Sequence, residues 1–281
     1  MTAGTARVGW LAAALLSATV MSGCGKVTST KGGSGGEAAL ASPVEKRGQA
    51  ATTDISASAA ERAIEQARRD GKYAFILFYR PSEQADSKMK DTFSRAQASL
   101  SAKAVFLAID VNSSVESRLI EKYRARQVPL PLTLVGAPNG AIVGAFTKAV
   151  DEETLAGAFV SPKVAQVAKA LQSRKLVVLC LQGSGTKHNR ESSRAAQQFV
   201  ADPRLAGQAM LIAADPAQEA GLLKRCGINS APAESSILLL LPPGNLVATV
   251  AGATTKEVLL AKLQTALAAC GSGCGPSGCT P

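Results

Sequence analysis

Six cysteines and a single histidine are the residues that could carry thiol, metal or general-base chemistry in this chain. Three of the thiols crowd together as 270-CGSGCGPSGCTP-281, with Cys270, Cys274 and Cys279 set among Gly, Ser and Pro. Soft thiolates at C-x3-C-x4-C suit Cu(I) or Zn(II), although a fourth ligand is missing and the spacing is not the paired C-x2-C of zinc sites. In an oxidising compartment the same thiols would pair instead. An odd number leaves one over for Cys180, Cys226, another chain or a metal. Cys180 lies inside the apolar run KLVVLCLQ and Cys226 precedes Gly227, so both read as buried apolar residues. Used as a displaced redox pair, they or the tail would make the chain a thiol–disulfide oxidoreductase. His188 is four residues from Ser184, and that spacing alone does not build a nucleophile–base pair.

Two corners hold the other polar residues that could act. In 73-YAFILFYRPSEQADSKMK-90 an apolar run stops at Tyr79, Arg-Pro-Ser turns the chain, and a charged helix-like segment begins. Free backbone N–H groups and the helix dipole point out of such a corner. Ser82, Glu83, Gln84 and Ala85 occupy it. No histidine in this half of the chain could activate the Ser82 hydroxyl, so Ser82 is expected to be the helix N-cap. The second corner, 182-QGSGTKHNRESS-193, carries Ser184 and Thr186 but lacks the phosphate-loop spacing. An anion on its amides is the secondary reading.

The elements that position these corners come in one order, written twice. In residues 54–160, Ser58-Ala-Ala-Glu61 is a capping box and Gly71 a helix stop. YAFILFY is a strand apolar on both faces, hence central, and a helix follows from about Ser82 with Met89 and Phe93 on one face. AVFLAIDV is another buried strand, and Ser113-Ser-Val-Glu116 a second capping box. PLTLV, a turn at Pro138–Gly140 and AIVGAF form a hairpin, and Asp151 opens a last helix. Residues 161–269 repeat the series: a helix, KLVVLCLQ, a helix over Thr186–Val200, AMLIAA, a helix stopped by Gly227, a second hairpin, and a final helix capped at Thr254. Corresponding positions lie about 104 residues apart, the mark of a tandem duplication in an α/β protein.

This order resembles the thioredoxin-like fold, and 123-YRARQVPLPLTLVGAPNG-140 strengthens the resemblance. The family places a cis-proline just before the third strand. Pro131 fits when counting back from Gly140, and Pro129 when counting forward from Tyr123. Pro232 is the candidate in the second repeat. The resemblance implies a Cys-x-x-Cys pair at the helix N-terminus, where the dipole lowers a thiol pKa. Ser82 and Ala85 stand where those cysteines would be, so redox chemistry is not expected there. The family's substrate groove implies that Ser82–Ala85 and Val128–Pro131, with Val128, Pro129 and Pro131, contact an extended peptide. Exposed backbone groups beside such a proline can pair with a strand.

The amino-terminal segment sets the expected location. Arg7, the apolar run Val8–Val20 and Met21-Ser22-Gly23-Cys24 resemble a bacterial lipoprotein signal peptide, residues 1–23, with Cys24 as the lipidated residue. Two or more acyl chains on Cys24 would hold the chain to a membrane. Residues 24–53 then read as a Gly/Ser/Ala-rich tether spanning about 30 Å. A net charge of +10 without any Lys/Arg run, and only 4% aromatic residues, leave no stacking platform or basic stripe for nucleic acid. The sequence therefore reads as a lipid-anchored, exported protein of two redox-inactive thioredoxin-like domains and a Cys-rich tail, 270–281. Its expected partner is another envelope protein or peptide.

Overall fold

The computed structural model describes residues 57–271. The signal peptide, Cys24, the tether and tail residues 272–281 lie outside the described residues. The first unit runs α1 (Ala59–Arg69), β1 (Tyr73–Tyr79), α2 (Gln84–Leu100), β2 (Ala104–Asp110), α3 (Ser117–Lys122), β3 (Leu132–Gly136), β4 (Ile142–Phe146) and α4 (Glu152–Ala156). The second runs α5 (Pro162–Gln172), β5 (Leu176–Leu181), α6 (Asn189–Val200), β6 (Ala209–Ala214), α7 (Ala220–Arg225), β7 (Ser236–Leu241), β8 (Asn245–Ala251) and α8 (Lys256–Gly271).

Each unit is built on a four-stranded mixed sheet, ordered β2-β1-β3-β4 and β6-β5-β7-β8. The first two strands of each are parallel, and the hairpin strands run antiparallel to them. These are two tandem thioredoxin-like domains. Central position explains the apolar runs: β1 buries Ala74 to Phe78 and β5 buries all six residues, because helices cover both faces. On β1, Ile76 and Phe78 face α1 and α3, while Phe75 and Leu77 face Met89 and Phe93 of α2. The helix α5 serves both domains. Val164, Val167 and Leu171 pack on the second sheet, and Ala165 and Ala168 on the first.

Three expectations are corrected. β2 is not fully buried: it is the sheet edge, and only Ala104 and Ile109 on it are buried. Thr254 does not cap α8, and its hydroxyl is buried without a hydrogen-bond partner among the described residues. Ser113–Glu116 is only half a capping box: Ser113 Oγ accepts the Glu116 N–H at 3.4 Å, but the Glu116 carboxylate does not return to Ser113. Glu116 is itself the N-cap of α3, and its carboxylate reaches across to accept from Ser58 Oγ and Ala60 N–H at the start of α1. The second domain repeats this latch: Glu219, the N-cap of α7, accepts from Ser161 Oγ, the N-cap of α5. Both bonds span 58 residues, so the duplication extends to a tertiary contact.

Candidate functional site: two unlike corners

In the first domain β1 leads into the turn Arg80–Glu83 and then α2. The N-cap of α2 is Glu83, not Ser82, and its side chain makes no capping bond. The turn is closed from inside the helix, where Asp86 folds back so that its Oδ2 accepts the Arg80 N–H. Glu83 pairs with Arg80 Nη1 at 2.9 Å. Ser82, Glu83 and Gln84 are exposed, Ala85 follows in the first helical turn, and no residue of Gln84–Ser87 is a thiol.

Across the β1–β3 pair Phe78 faces Leu132, which sets Pro131 beside the end of β1. Of the two candidate prolines here, Pro131 follows a cis peptide bond, Leu130–Pro131, so the proline nearer the strand holds the place that counting left open. Pro129 is trans and exposed. Among the described residues, no hydrogen bond reaches the backbone of Val128, Pro129 or Leu130. This short edge is open.

The second domain fills the same place with its own chain. Leu181 faces Ser236, so Ser235, not Pro232, is the counterpart of Pro131. Pro232 is trans. The reason lies in a local bridge between Lys187 and Glu234. Ser235 N–H donates to Lys187 O at 2.8 Å, and Lys187 N–H donates to Ala233 O at 3.1 Å. A proline at position 235 has no N–H to complete it. The helix α6 begins at Asn189 rather than Thr186, because Gly183–His188 forms this strap. Thr186 Oγ1 accepts Gly183 N–H at 2.9 Å, and Asn189 Nδ2 donates to Gly183 O at 2.7 Å. The amides of Gly183, Thr186 and Lys187 are bonded within the chain and have no donor left for an anion. Ser184 and His188 are exposed on it.

Beneath the strap Ser192 and Ser235 are fully buried. Ser192 Oγ lies 2.7 Å from both Ser235 Oγ and Gly252 O, and Ser235 Oγ lies 3.1 Å from His188 O. Two hydroxyl hydrogens satisfy two of these three contacts at a time. The residue at the Ser192 position in the first domain is Asp86, as the buried helix face shows: Asp86, Met89 and Phe93 match Ser192, Ala195 and Phe199. Asp86 is fully buried, and its Oδ1 has no hydrogen-bond partner among the described residues. Sequence reading passed over Asp86, although its spacing three and seven residues before Met89 and Phe93 places it on their face.

The thiols do not meet. Cys180 on β5 sits in the core between the sheet and α6, and Cys226, which caps α7, packs on the opposite face. Both are free, and burial pushes each thiol up to about 11. Cys270 lies in the last turn of α8, while Cys274 and Cys279 lie outside the described residues. Among the described residues no cluster of His, Cys, Asp or Glu has a metal-holding arrangement, and no helix is long and apolar enough to cross a membrane.

No protein-family model matches the chain, and no curated protein matches it. Solved structures do. The thioredoxin Deadhead of Drosophila melanogaster is 29% identical over 34% of this chain and 84% of its own, with a TM-score of 0.29. The first two thioredoxin domains of Saccharomyces cerevisiae Eps1p are 11% identical over 70% of this chain and 94% of their own, with a TM-score of 0.29. Human ERp44 is 13% identical over 73% of this chain and 55% of its own, with a TM-score of 0.32. The thioredoxin-like assignment stands on the strand order and register described above.

Proposed function

We propose that this chain is an exported, lipid-anchored binding module whose first thioredoxin-like domain, residues 54–160, takes an extended peptide along Val128–Pro131. Its second domain, 161–269, is a self-filled partner to the first. One observation carries the reading: the backbone of Val128, Pro129 and Leu130 has no hydrogen-bond partner among the described residues, while the same stretch of the second domain is bonded to Lys187. An unpaired strand edge beside a groove is the feature to which a peptide adds as a strand. The absence of a thiol from Gln84–Ser87 and from Asn189–Ser192 favours binding over disulfide exchange.

The experiment is site-specific photocrosslinking in intact cells, with a benzophenone amino acid placed at Val128 or at Ala233. Discrete adducts from position 128 and none from position 233 are expected. Equal yields from both would overturn the assignment of binding to the first domain. The anchor has its own test. Cys24→Ala should move the chain out of the membrane fraction, and unchanged partition would remove the lipid from the account.

A further inference from the structure

A cavity of about 410 Å³ opens in the first domain against Ile120, Glu121, Arg124, Arg126 and Gln127. The next residue is Val128, where the open edge begins. Arg126 is already oriented there: its Nε donates to Val111 O at 3.0 Å. Among the described residues its Nη1 and Nη2 make no hydrogen bond or ion pair. A guanidinium held by one nitrogen and presenting the other two is matched to a planar carboxylate.

Arg124 adds a second observation. It has φ 49, a left-handed conformation that is costly for a residue with a Cβ. The second domain makes the same turn with Gly227, at φ 76, which adopts it without strain. The first domain therefore keeps an arginine where glycine would be the easier choice, on the wall of a cavity that adjoins its open edge. Position 126 has Asn229 as its counterpart, so the domain with the filled edge carries neither arginine. Glu121 is the single carboxylate on the wall, and the two guanidiniums leave the cavity with a positive balance.

We infer that this cavity takes the carboxylate of an Asp or Glu side chain belonging to the segment docked along Val128–Pro131, so that the module selects acidic extended peptides. The inference rests on the peptide-binding reading above, and the test separates the two.

A random library of peptides about twelve residues long, displayed on phage, is selected on the purified full chain. It is selected in parallel on Arg124→Gln/Arg126→Gln and on two edge variants, Val128→Pro and Pro129→Trp, each checked for folding by thermal melting. Selected peptides should carry an acidic residue at one fixed position on the wild type and lose that preference on the arginine variant. A synthetic peptide of the selected sequence should bind the arginine variant about tenfold more weakly. Its own acid-to-amide change should weaken binding to the wild type about equally, with little further loss when both changes are combined. Glu121→Gln should tighten the acidic peptide about two- to threefold. Peptides selected without an acidic preference, or a preference that survives loss of both arginines, would overturn this inference and leave the open edge standing. Selection unaffected by either folded edge variant, or no selection by the wild type, would overturn both.

Discussion

After Tyr79, the last residue of β1, the first domain uses seven residues, Arg80–Asp86, to turn into its helix. After Gln182, the counterpart of Tyr79, the second uses ten, Gly183–Ser192. The flanking strands keep the same register and the helices bury the same face, so the three extra residues are confined to the corner. They let Lys187 reach the stretch ahead of β7 and pair with it, and Ser235 in place of proline supplies the N–H that closes the bridge. The shorter corner cannot form such a strap, and Pro131 offers no N–H to receive one. Two copies of one fold thus differ in whether the stretch ahead of the third strand is bonded by the chain itself or has no hydrogen-bond partner among the described residues. Loop length and one backbone donor decide it.

The comparison breaks most visibly at Ser235. Ser235→Pro removes the N–H that bonds Lys187 O and a buried hydroxyl that contacts Ser192. A loss of about 3 kcal/mol in unfolding free energy is expected by denaturant titration. A loss below about 1 kcal/mol would mean that the strap contributes little to holding the corner.

Alkali should distinguish the domains next. The second domain holds the buried thiols Cys180 and Cys226, each raised by burial to about 11, so the folded state keeps its protons where the unfolded chain gives them up. Their contribution is intact below about pH 9 and is lost as pH rises towards 11, on the order of 2 kcal/mol per thiol. In the first domain burial raises Tyr73 and Tyr123 above their usual value of 10.0, so its own alkaline loss starts about one pH unit higher. Denaturant titrations from pH 8 to 11 with Cys180→Ala as reference check this. A flat profile between pH 9 and 10 would contradict it.

The equivalent buried positions should respond with opposite sign. Ser192→Ala leaves Gly252 O and Ser235 Oγ short of a partner and should cost about 2 kcal/mol. Asp86→Asn keeps an acceptor for Arg80 N–H while removing a buried charge with an unpartnered oxygen, and should gain up to about 1 kcal/mol. Matching losses would show that Asp86 is as well satisfied as Ser192.

Where the domains agree, the effects should be small and equal. Glu116→Gln and Glu219→Gln weaken the two latches to Ser58 and Ser161, and each should cost about 1 kcal/mol. Thermal melts that differ markedly between the two would show that the latch has diverged despite its shared spacing.

Local signals in the sequence reached as far as local physics does. The capping box at Ser58 forms as read, with the Ser58 hydroxyl on Glu61 N–H and the Glu61 carboxylate on Ser58 N–H. The central position of YAFILFY follows from its unbroken apolar run, and the hairpin turn closes with Gly140 at φ 79, as Pro138–Gly140 suggested. The misses are tertiary. Ser113 and Glu116 make only half the box their spacing suggested: the Glu116 N–H reaches Ser113 Oγ, but its carboxylate is claimed by α1. Ser82 looked like a cap because nothing in the sequence says that Asp86 will fold back on Arg80. Ser235 took the place of Pro232 because the strand pairing Leu181–Ser236, not the nearest proline, sets the register.

Amide hydrogen exchange tests the open and filled corners most directly, since it reads whether each backbone N–H has a partner in the folded chain. The account predicts that Lys187 and Ser235 exchange at least about a hundredfold more slowly than Val128 and Leu130 in the free protein, after correction for intrinsic rates. Equal protection at the two corners would contradict it.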